Sequence, residues 1–282
     1  DVLYTARGSG YENDLAVGRL YIRAGRGGWK FGPAIESPAG RSAYYIEMAD
    51  LDNDGFQDMY LSNIGRPWLF HNNGDGTFED VTDISGLAHA HIRGDNVVSW
   101  GTAFFDYDND GWLDVYLNTG NLTYYGENVK SDPLIQPNVL FHNNGDGTFT
   151  DVSAVSGLDN PLRSQALAYG DYNNDGYLDV AISNFGGPMV LYRNNGKGNN
   201  WIAIKTEGVD SNREGIGAKI RIATGGQMQL REIRSGANLG SGSEIGAYFG
   251  VGKSTKIDIV EIDWPSGLKQ VFYDVDVNQK LL

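Results

Sequence analysis

A nine-residue acidic loop occurs three times in this chain, at residues 50–58, 106–114 and 171–179. Each copy has an oxygen-bearing side chain at loop positions 1, 3, 5 and 9 and a glycine at position 6. Carboxylates this close together repel one another unless a cation lies between them. Calcium is the hard cation that takes many oxygen ligands in a flexible geometry. The spacing therefore predicts three calcium sites, one in each loop.

The predicted ligands are the side-chain oxygens of positions 1, 3, 5 and 9 and the backbone carbonyl of position 7. EF-hand and dockerin loops share the first half of this pattern, but they need an acidic ligand at position 12. Here that position is Leu61, Leu117 or Ile182, which argues against an EF-hand. In the third loop an asparagine replaces the aspartate of position 3, so one charge is lost and the oxygen is kept. The predicted ligands are Asp50, Asp52, Asp54, Phe56, Asp58, Asp106, Asp108, Asp110, Trp112, Asp114, Asp171, Asn173, Asp175, Tyr177 and Asp179.

A second motif, Leu-Phe-His-Asn-Asn-Gly-Asp-Gly-Thr-Phe, occurs at residues 69–78 and 140–149. A shorter copy is found at 191–198 and a degenerate one at 20–29. Asn-Gly and Asp-Gly pairs favour the turns of β-hairpins, because these turns require positive φ angles. Each copy therefore predicts a strand, a tight turn and a return strand. We expect the paired residues His71 and His142 to pack or donate hydrogen bonds, and Asp75 and Asp146 to shape the turns.

The order of these motifs predicts a β-propeller. A short strand is expected after each acidic loop, at 59–62, 115–118 and 180–183, and the hairpin follows. A fourth strand, such as 101–105, leads into the next loop. Four short strands that recur every 56 or 65 residues are typical of propeller blades. We expect the aromatic side chain at loop position 7 to pack between blades.

Two stretches extend this interpretation. Asp1 aligns with the last position of a fourth acidic loop, so the chain is expected to begin inside a repeat, with further blades upstream or in another chain. An insertion at 119–137 contains Tyr124 and Tyr125. Long loops on rigid scaffolds often bind a partner, and the alternative is a variable surface loop.

The pattern changes near residue 198. Alternating apolar residues predict strands at 201–205, 218–222, 227–233, 247–249, 257–262 and 269–273, and no acidic loop occurs among them. Short strands separated by glycine-rich turns favour a small β-sandwich that caps the propeller. The chain is therefore predicted to be all-β, with a calcium-binding propeller at 1–198 followed by a sandwich-like domain at 199–282.

These motifs carry a resemblance to known families. The acidic loop and the Asn-Asn-Gly-Asp-Gly-Thr-Phe hairpin resemble the FG-GAP/VCBS repeat of integrin α-subunit propellers and bacterial secreted proteins. The C-terminal segments 215–218, 231–236, 249–252 and 264–267 are similar to the ASPIC/UnbV domain. Together they resemble the cartilage acidic protein 1-like (CRTAC-like) family. That resemblance implies a secreted, calcium-binding protein of adhesion or matrix type.

Composition limits the partners and the compartment. The formal charge is −14 and the isoelectric point is near 4.6, so no nucleic-acid partner is expected. No apolar run is long enough for a membrane span. There is no cysteine, so disulfides do not indicate the compartment. Calcium sites of this type are usually filled at millimolar calcium, which favours a secreted, extracellular or periplasmic location.

The sequence carries no recognisable catalytic motif, such as a nucleophile elbow or a metalloprotease helix. His89 and His91 could face the same side of a strand, but a metal site would need a third ligand. The favoured function is a non-enzymatic calcium-binding adhesion or structural module that contacts a protein or glycan, or other subunits of an extracellular assembly. The alternative is a polysaccharide lyase or hydrolase built on the propeller, with Tyr124, Tyr125 and Arg163 as residues to inspect.

Overall fold

The computed structural model describes residues 2–6, 19–23, 35–38, 43–63, 66–88, 98–120, 136–236 and 238–282, with the backbone alone described before residue 45. Asp1, His89, His91 and residues 121–135 of the predicted insertion lie outside this set. The described elements are strands and one short helix. They are β1 (Val2–Ala6), β2 (Arg19–Arg23), β3 (Ile35–Pro38), β4 (Ala43–Ala49), β5 (Asp58–Asn63), β6 (Trp68–Asn72), β7 (Phe78–Asp80), β8 (Ser99–Phe105), β9 (Asp114–Thr119), β10 (Val139–Asn143), β11 (Phe149–Asp151), α1 (Ser153–Ser156), β12 (Ser164–Gly170), β13 (Asp179–Asn184), β14 (Val190–Tyr192), β15 (Asn200–Ile204), β16 (Lys219–Thr224), β17 (Gln227–Glu232), β18 (Ala247–Gly252), β19 (Lys256–Asp263), β20 (Lys269–Asp276) and β21 (Gln279–Leu281).

The first fourteen strands form four successive antiparallel sheets in chain order: β1–β3, β4–β7, β8–β11 and β12–β14. Within each sheet, consecutive strands are neighbours, which is the up-and-down order of a propeller blade. Adjacent blades meet through the strands that lead into the acidic loops, since β8 contacts both β4 and β12. The predicted all-β propeller is thus confirmed.

The blades pack through side chains that alternate along each strand. In β9, Val115 and Leu117 join one buried cluster together with Tyr60 of the preceding blade. Tyr116, between them in sequence, points the other way and packs with Leu167 and Val180 of the following blade. Successive side chains of a strand point to opposite faces, so one fully buried strand contributes to two interblade cores.

The third hairpin differs from the prediction. In the first two complete copies the return strands are present, because β6 pairs with β7 and β10 pairs with β11. After β14 the chain does not return to its own blade. The next strand, β15, pairs instead with β18 and β21. The expected return strand of the third copy is therefore wrong, and its segment belongs to a C-terminal sheet.

The C-terminal strands form two sheets, in the orders β18-β15-β21 and β17-β16-β19-β20. Ile202 and Phe249 of the first sheet share one buried cluster with Ile220, Ile257 and Val260 of the second, so the two sheets form a sandwich. All six predicted strands are present, and β21, which pairs parallel to β15, was missed. The predicted boundary after residue 198 stays a prediction. Among the described residues, none forms a helix of the length and apolar character that a membrane span requires.

Candidate metal centre

The three acidic loops adopt one backbone conformation. We refer to residues 50–58, 106–114 and 171–179 as loop 1, loop 2 and loop 3. The asparagine at position 4 has a φ of 59°, 58° and 61° in turn, and the glycine at position 6 has a φ of 92°, 101° and 86°. These left-handed conformations are tolerated by asparagine and favoured by glycine. The repeated Asn-x-Gly spacing therefore encodes the bend of each loop.

The aspartate at position 1 stabilises this bend through a hydrogen bond across the loop. Its Oδ2 accepts a hydrogen bond from the glycine N–H of position 6 at 3.1 Å in loop 1, 2.8 Å in loop 2 and 3.0 Å in loop 3. The carboxylate at position 5 accepts the N–H of position 7 at 2.8, 2.9 and 3.0 Å. The predicted ligand carboxylates are thus held in the same arrangement in all three copies.

The aspartate at position 9 joins the loop to the hairpin of the same blade. Asp114 accepts the N–H of Tyr107 at 3.0 Å on Oδ2 and the N–H of Asn143 at 2.9 Å on Oδ1. Asp58 and Asp179 make the same pair of hydrogen bonds in their own blades. This residue is therefore a structural tie whether or not it also binds an ion.

Neighbouring loops are hydrogen-bonded to each other in sequence. The side-chain amide of Asn53 donates to the Gly111 carbonyl of the next loop at 3.2 Å, and Asn109 donates to the Gly176 carbonyl at 3.0 Å. The hairpin residue Asn143 adds a second link, because its amide donates to Leu51 O at 2.8 Å and to Leu113 O at 3.0 Å. A rearrangement of one loop would therefore disturb the hydrogen bonds that it makes with the next loop.

The aromatic residue at position 7 lies against the hairpin of its own blade, and the expected packing between blades stays a prediction. A Cβ atom placed on Gly74 would lie 2.5 Å from the ring of Phe56. In the next two hairpins, a Cβ atom on Gly145 or Gly196 would lie 2.8 Å from Trp112 or 2.6 Å from Tyr177. Each ring therefore covers the hairpin of its own blade, and the turn needs glycine because the ring leaves no room for a side chain.

Loops 1 and 2 have the donor set that a hard cation requires. Asp50 Oδ1 and Asp108 Oδ1 are buried and have no hydrogen-bond partner. Metal-ligating atoms lie within 4.8 Å of one another in three groups: Asp52, Asp54 and His71; Asp108, Asp110 and His142; and Asp106, Asp108 and Asp114. A buried carboxylate oxygen without a partner is costly unless a cation neutralises it. The carboxylates of these groups therefore fit calcium, which takes oxygen ligands and would supply that charge when bound.

Burial shifts the protonation of these carboxylates in the protein without metal. It raises the pKa of Asp50 to about 7 and the pKa of Asp58 to about 6. Burial, together with the charges of Asp114 and Asp110, also raises the pKa of Asp106. The physical cause is the cost of holding a negative charge away from water, which a bound cation would offset.

Each hairpin histidine contacts carboxylates of the acidic loop in its own blade. His71 Nδ1 lies 3.1 Å from Asp58 Oδ1 and 3.2 Å from Asp52 Oδ2, and His142 Nδ1 lies 3.2 Å from Asp114 Oδ1. The hydrogen bond to Asp114 raises the pKa of His142. The predicted hydrogen-bonding role is confirmed, and so is the turn role of Asp75 and Asp146, which accept hydrogen bonds from Thr77 and Thr148.

The sandwich was expected to cap the propeller, but its individual contacts with the loops were not predicted. Arg231 is close enough to Asp50 and Asp106 for both charges to act on its pKa, although burial is the largest influence and lowers it. The Gly252 N–H donates to Asn109 O at 2.9 Å, and Arg234 donates to Met48 O at 2.6 Å. No local pattern could have revealed these contacts, because the partners are more than 100 residues apart in the chain.

Two further contacts involve loop 3. Lys280 Nζ, on β21, lies 3.2 Å from Asp171 Oδ2 and 2.7 Å from Asn174 Oδ1. The indole of Trp201 covers Gly176, where an added Cβ atom would lie 1.8 Å from the ring. The sandwich therefore contacts loop 3 through Lys280 and Trp201.

The blade order and the repeated loops define a class of repeat propeller, and the family comparison agrees. The FG-GAP-like repeat model matches residues 1–61, 50–117 and 131–182, more than half of the chain. The chain therefore belongs to the FG-GAP-like repeat family. The ASPIC and UnbV model matches residues 208–282, within the sandwich. Both family resemblances seen in the sequence are confirmed.

Two curated relatives are similar to this chain over different lengths. Cartilage acidic protein 1 from Homo sapiens is 25% identical over 320 residues, which cover 90% of this chain and 45% of that protein. The Mus musculus protein of the same name is 46% identical over 57 residues, covering 20% of this chain and 9% of that protein. The chain thus spans less than half the length of these relatives.

Among solved structures, the chain is similar to an Agrocybe aegerita lectin described as recognising non-reducing terminal N-acetylglucosamine. That match has 16% identity and a TM-score of 0.38, and it covers 92% of this chain and 77% of the lectin chain. The fold assignment rests on the strand pairing and on the family models.

Proposed function

We propose that this protein is a non-enzymatic, extracellular, calcium-binding module of adhesion or matrix type, which contacts a protein or glycan partner. The observation that carries the proposal is the pair of buried, unpartnered carboxylate oxygens of Asp50 and Asp108, each within a loop of repeated geometry. Calcium at these positions would stiffen the loops that join the first two strands of each blade. Similarity to cartilage acidic protein 1 supports the extracellular setting.

The acidic side chains beside the loops support a structural role for this face. Glu47 accepts hydrogen bonds from Tyr45 at 2.7 Å and from Arg234 at 3.2 Å. Glu244 is paired with Lys205 at 3.0 Å. The cavity between the propeller and the sandwich measures about 90 Å³, well below the roughly 300–1,000 Å³ of common ligand sites. This cavity is therefore too small for a common ligand, and we propose that the partner binds the outer surface of the propeller.

Thermal unfolding with and without calcium tests the metal claim. At free calcium 100-fold above the dissociation constant, one site stabilises the folded state by about 2.7 kcal/mol. We expect a clear fall in the melting temperature in EDTA, and a smaller calcium response in an Asp108→Asn variant, which alters loop 2 and leaves loop 1 intact. Asp258→Asn, an exposed sandwich position, is the matched control and should respond as the wild type does. An unchanged melting curve in excess EDTA would refute calcium binding.

The partner claim has its own experiment. The calcium-loaded protein should bind members of an array of extracellular matrix proteins and glycans, and EDTA should weaken that binding. A polysaccharide lyase or hydrolase would instead release unsaturated or reducing ends from polysaccharide substrates. Such release by the wild type would contradict the non-enzymatic proposal. Binding of equal strength in calcium and in EDTA would show that partner recognition does not depend on calcium.

A further inference from the structure

Loop 3 differs from loops 1 and 2 in the cation that it already contacts. The Lys280 ammonium lies 3.2 Å from Asp171 Oδ2, the carboxylate at position 1. It also donates to Asn174 Oδ1 at 2.7 Å. The Lys280 side chain is 29% exposed and Asp171 is fully enclosed, so the pair is held away from bulk water. An ion pair of this kind is screened less by salt than a surface pair.

The oxygens of loop 3 are also used within the loop. Asp171 Oδ1 accepts the Asp175 N–H at 3.0 Å, and Asp171 Oδ2 accepts the Gly176 N–H in addition to Lys280. Asn173, which stands at position 3, donates its side-chain amide to Asp175 Oδ2 at 2.8 Å. Among the side chains that the structure describes, loops 1 and 2 each keep a buried carboxylate oxygen without a partner, and loop 3 keeps none.

Loop 3 also carries less negative charge than loops 1 and 2. Three carboxylates remain where loops 1 and 2 have four, because Asn173 is neutral. The hairpin position that holds His71 and His142 in the other two blades is Arg193, whose side chain is exposed. In the described part of the chain, the clusters of three carboxylate or imidazole groups that could hold a metal involve loops 1 and 2 and their hairpin histidines, and none involves loop 3, where Asn173 offers an amide oxygen instead.

Loop 2 also contacts a lysine, Lys197, but this lysine is more exposed than Lys280. Lys197 Nζ lies 3.1 Å from Asp108 Oδ2, but its side chain is 58% exposed. Asp108 Oδ1 remains buried without a partner on the other side of the same carboxylate. Lys197 therefore pairs with the outer oxygen and leaves the inner one for an ion, whereas Lys280 contacts the enclosed position-1 carboxylate of loop 3.

We propose that loop 3 uses the Lys280 ammonium as its cation in place of calcium, and that calcium binds in loops 1 and 2. This inference rests on the proposed calcium binding of the family loops and corrects the expected number of ions from three to two. The lysine comes from the sandwich, so loop 3 serves as a fixed ionic joint between the two domains. Loops 1 and 2 remain dependent on the calcium concentration.

Calcium stoichiometry, measured by native mass spectrometry and by equilibrium dialysis, tests the proposal on the full chain. The wild type should bind two ions, and Lys280→Met combined with Asn173→Asp should bind three. Lys280→Arg, which keeps the charge, should still bind two. Lys256→Met removes a sandwich lysine that pairs with Asp276 at 2.9 Å, away from the loops, and is the matched control. Far-ultraviolet circular dichroism confirms that each variant is folded.

Aspartate substitutions assign the ions without relying on the lysine variants. Asp108→Asn should reduce the count from two to one, whereas Asp171→Asn should leave two. Three ions on the wild type, or a count of two on the combined Lys280 and Asn173 variant, would overturn the proposal while leaving calcium binding intact. A wild type that binds no calcium would instead refute the proposed function itself.

Discussion

The propeller blades and the C-terminal sandwich are both built from short strands, but they differ in the side chains that they bury. The sandwich closes over one apolar cluster that includes Ile202, Ile220 and Phe249. In the part of the chain that the structure describes, seven of the eight buried acidic side chains belong to loops 1 to 3, and none belongs to the sandwich. Changes in buried charge should therefore act on the blades and not on the sandwich, whereas lost apolar volume should destabilise either domain.

The largest expected effect is a cavity in the sandwich. Ile220 is fully buried, so Ile220→Ala should lower the free energy of unfolding of that domain by about 2–5 kcal/mol. The affinity for calcium should not change, because no loop carboxylate is touched. Chemical denaturation and calcium titration measure the two quantities separately. Ile259→Ala, at a position that is 38% exposed on β19, is the control and should cost much less.

If Ile220→Ala weakened calcium binding as strongly as it weakened the fold, the domains would not be independent in the way the two cores suggest. The contacts of Arg231 and Lys280 with the loops would then have to transmit the change.

A smaller effect is expected from the hydrogen bonds that join one blade to the next. Asn143→Ala would leave the carbonyl groups of Leu51 and Leu113 without their donor, at a cost of roughly 1–3 kcal/mol. Asn72 occupies the same position one blade earlier, and its amide donates to Gln57 O within its own blade. Asn72→Ala should therefore destabilise the protein less. Equal losses for the two variants, measured by denaturant unfolding, would show that the interblade link adds nothing.

The smallest expected effect concerns pH. Burial raises the pKa of Asp50 to about 7, above the roughly 3.9 of an aspartate in an unfolded chain. In EDTA the folded protein therefore binds more protons than the unfolded chain in this window, and its stability should fall as pH rises from 5 to 7. Calcium requires the ionised carboxylates, so at saturating calcium the melting temperature should not fall in this way.

Melting temperatures at pH 5 and pH 7, in calcium and in EDTA, measure this contrast. A stability change of about 1 kcal/mol corresponds to a shift of roughly 2–4 °C for a domain of 150–250 residues. Asp50→Asn cannot ionise and should show a flatter response in EDTA. A calcium-free wild type that gained stability between pH 5 and pH 7 would contradict the role given to burial.

Much of the propeller could be predicted because its information is local. The strand expected at 115–118 became β9 (Asp114–Thr119), and the Asn-Gly turns formed where the sequence places them. Positive φ angles at Asn109 and Gly111 follow from those residue types alone. Whether the fifteen proposed ligands bind an ion stays a prediction.

The missed features depend on contacts between distant segments. The return strand expected after the third hairpin became β15, because it pairs with β18 and β21 of the sandwich. The place of Lys280 beside Asp171 arises from that same pairing. The ring of Trp112 lies over Gly145 of its own hairpin, where the absence of a side chain makes room for it. The spacing of residues in the sequence does not show this contact.

The parallel pairing of β15 with β21 has a mechanical consequence. The chain enters β15 directly from the third hairpin, and β21 lies beside it in the same direction, with Ile202 opposite Gln279 and Ile204 opposite Leu281. Tension between the propeller and Leu282 would pull these strands lengthwise past each other. In that geometry the hydrogen bonds share the load and must break together, whereas strands pulled apart from one end lose them one at a time. A pull through this end of the molecule would thus meet its resistance at the junction of the two domains.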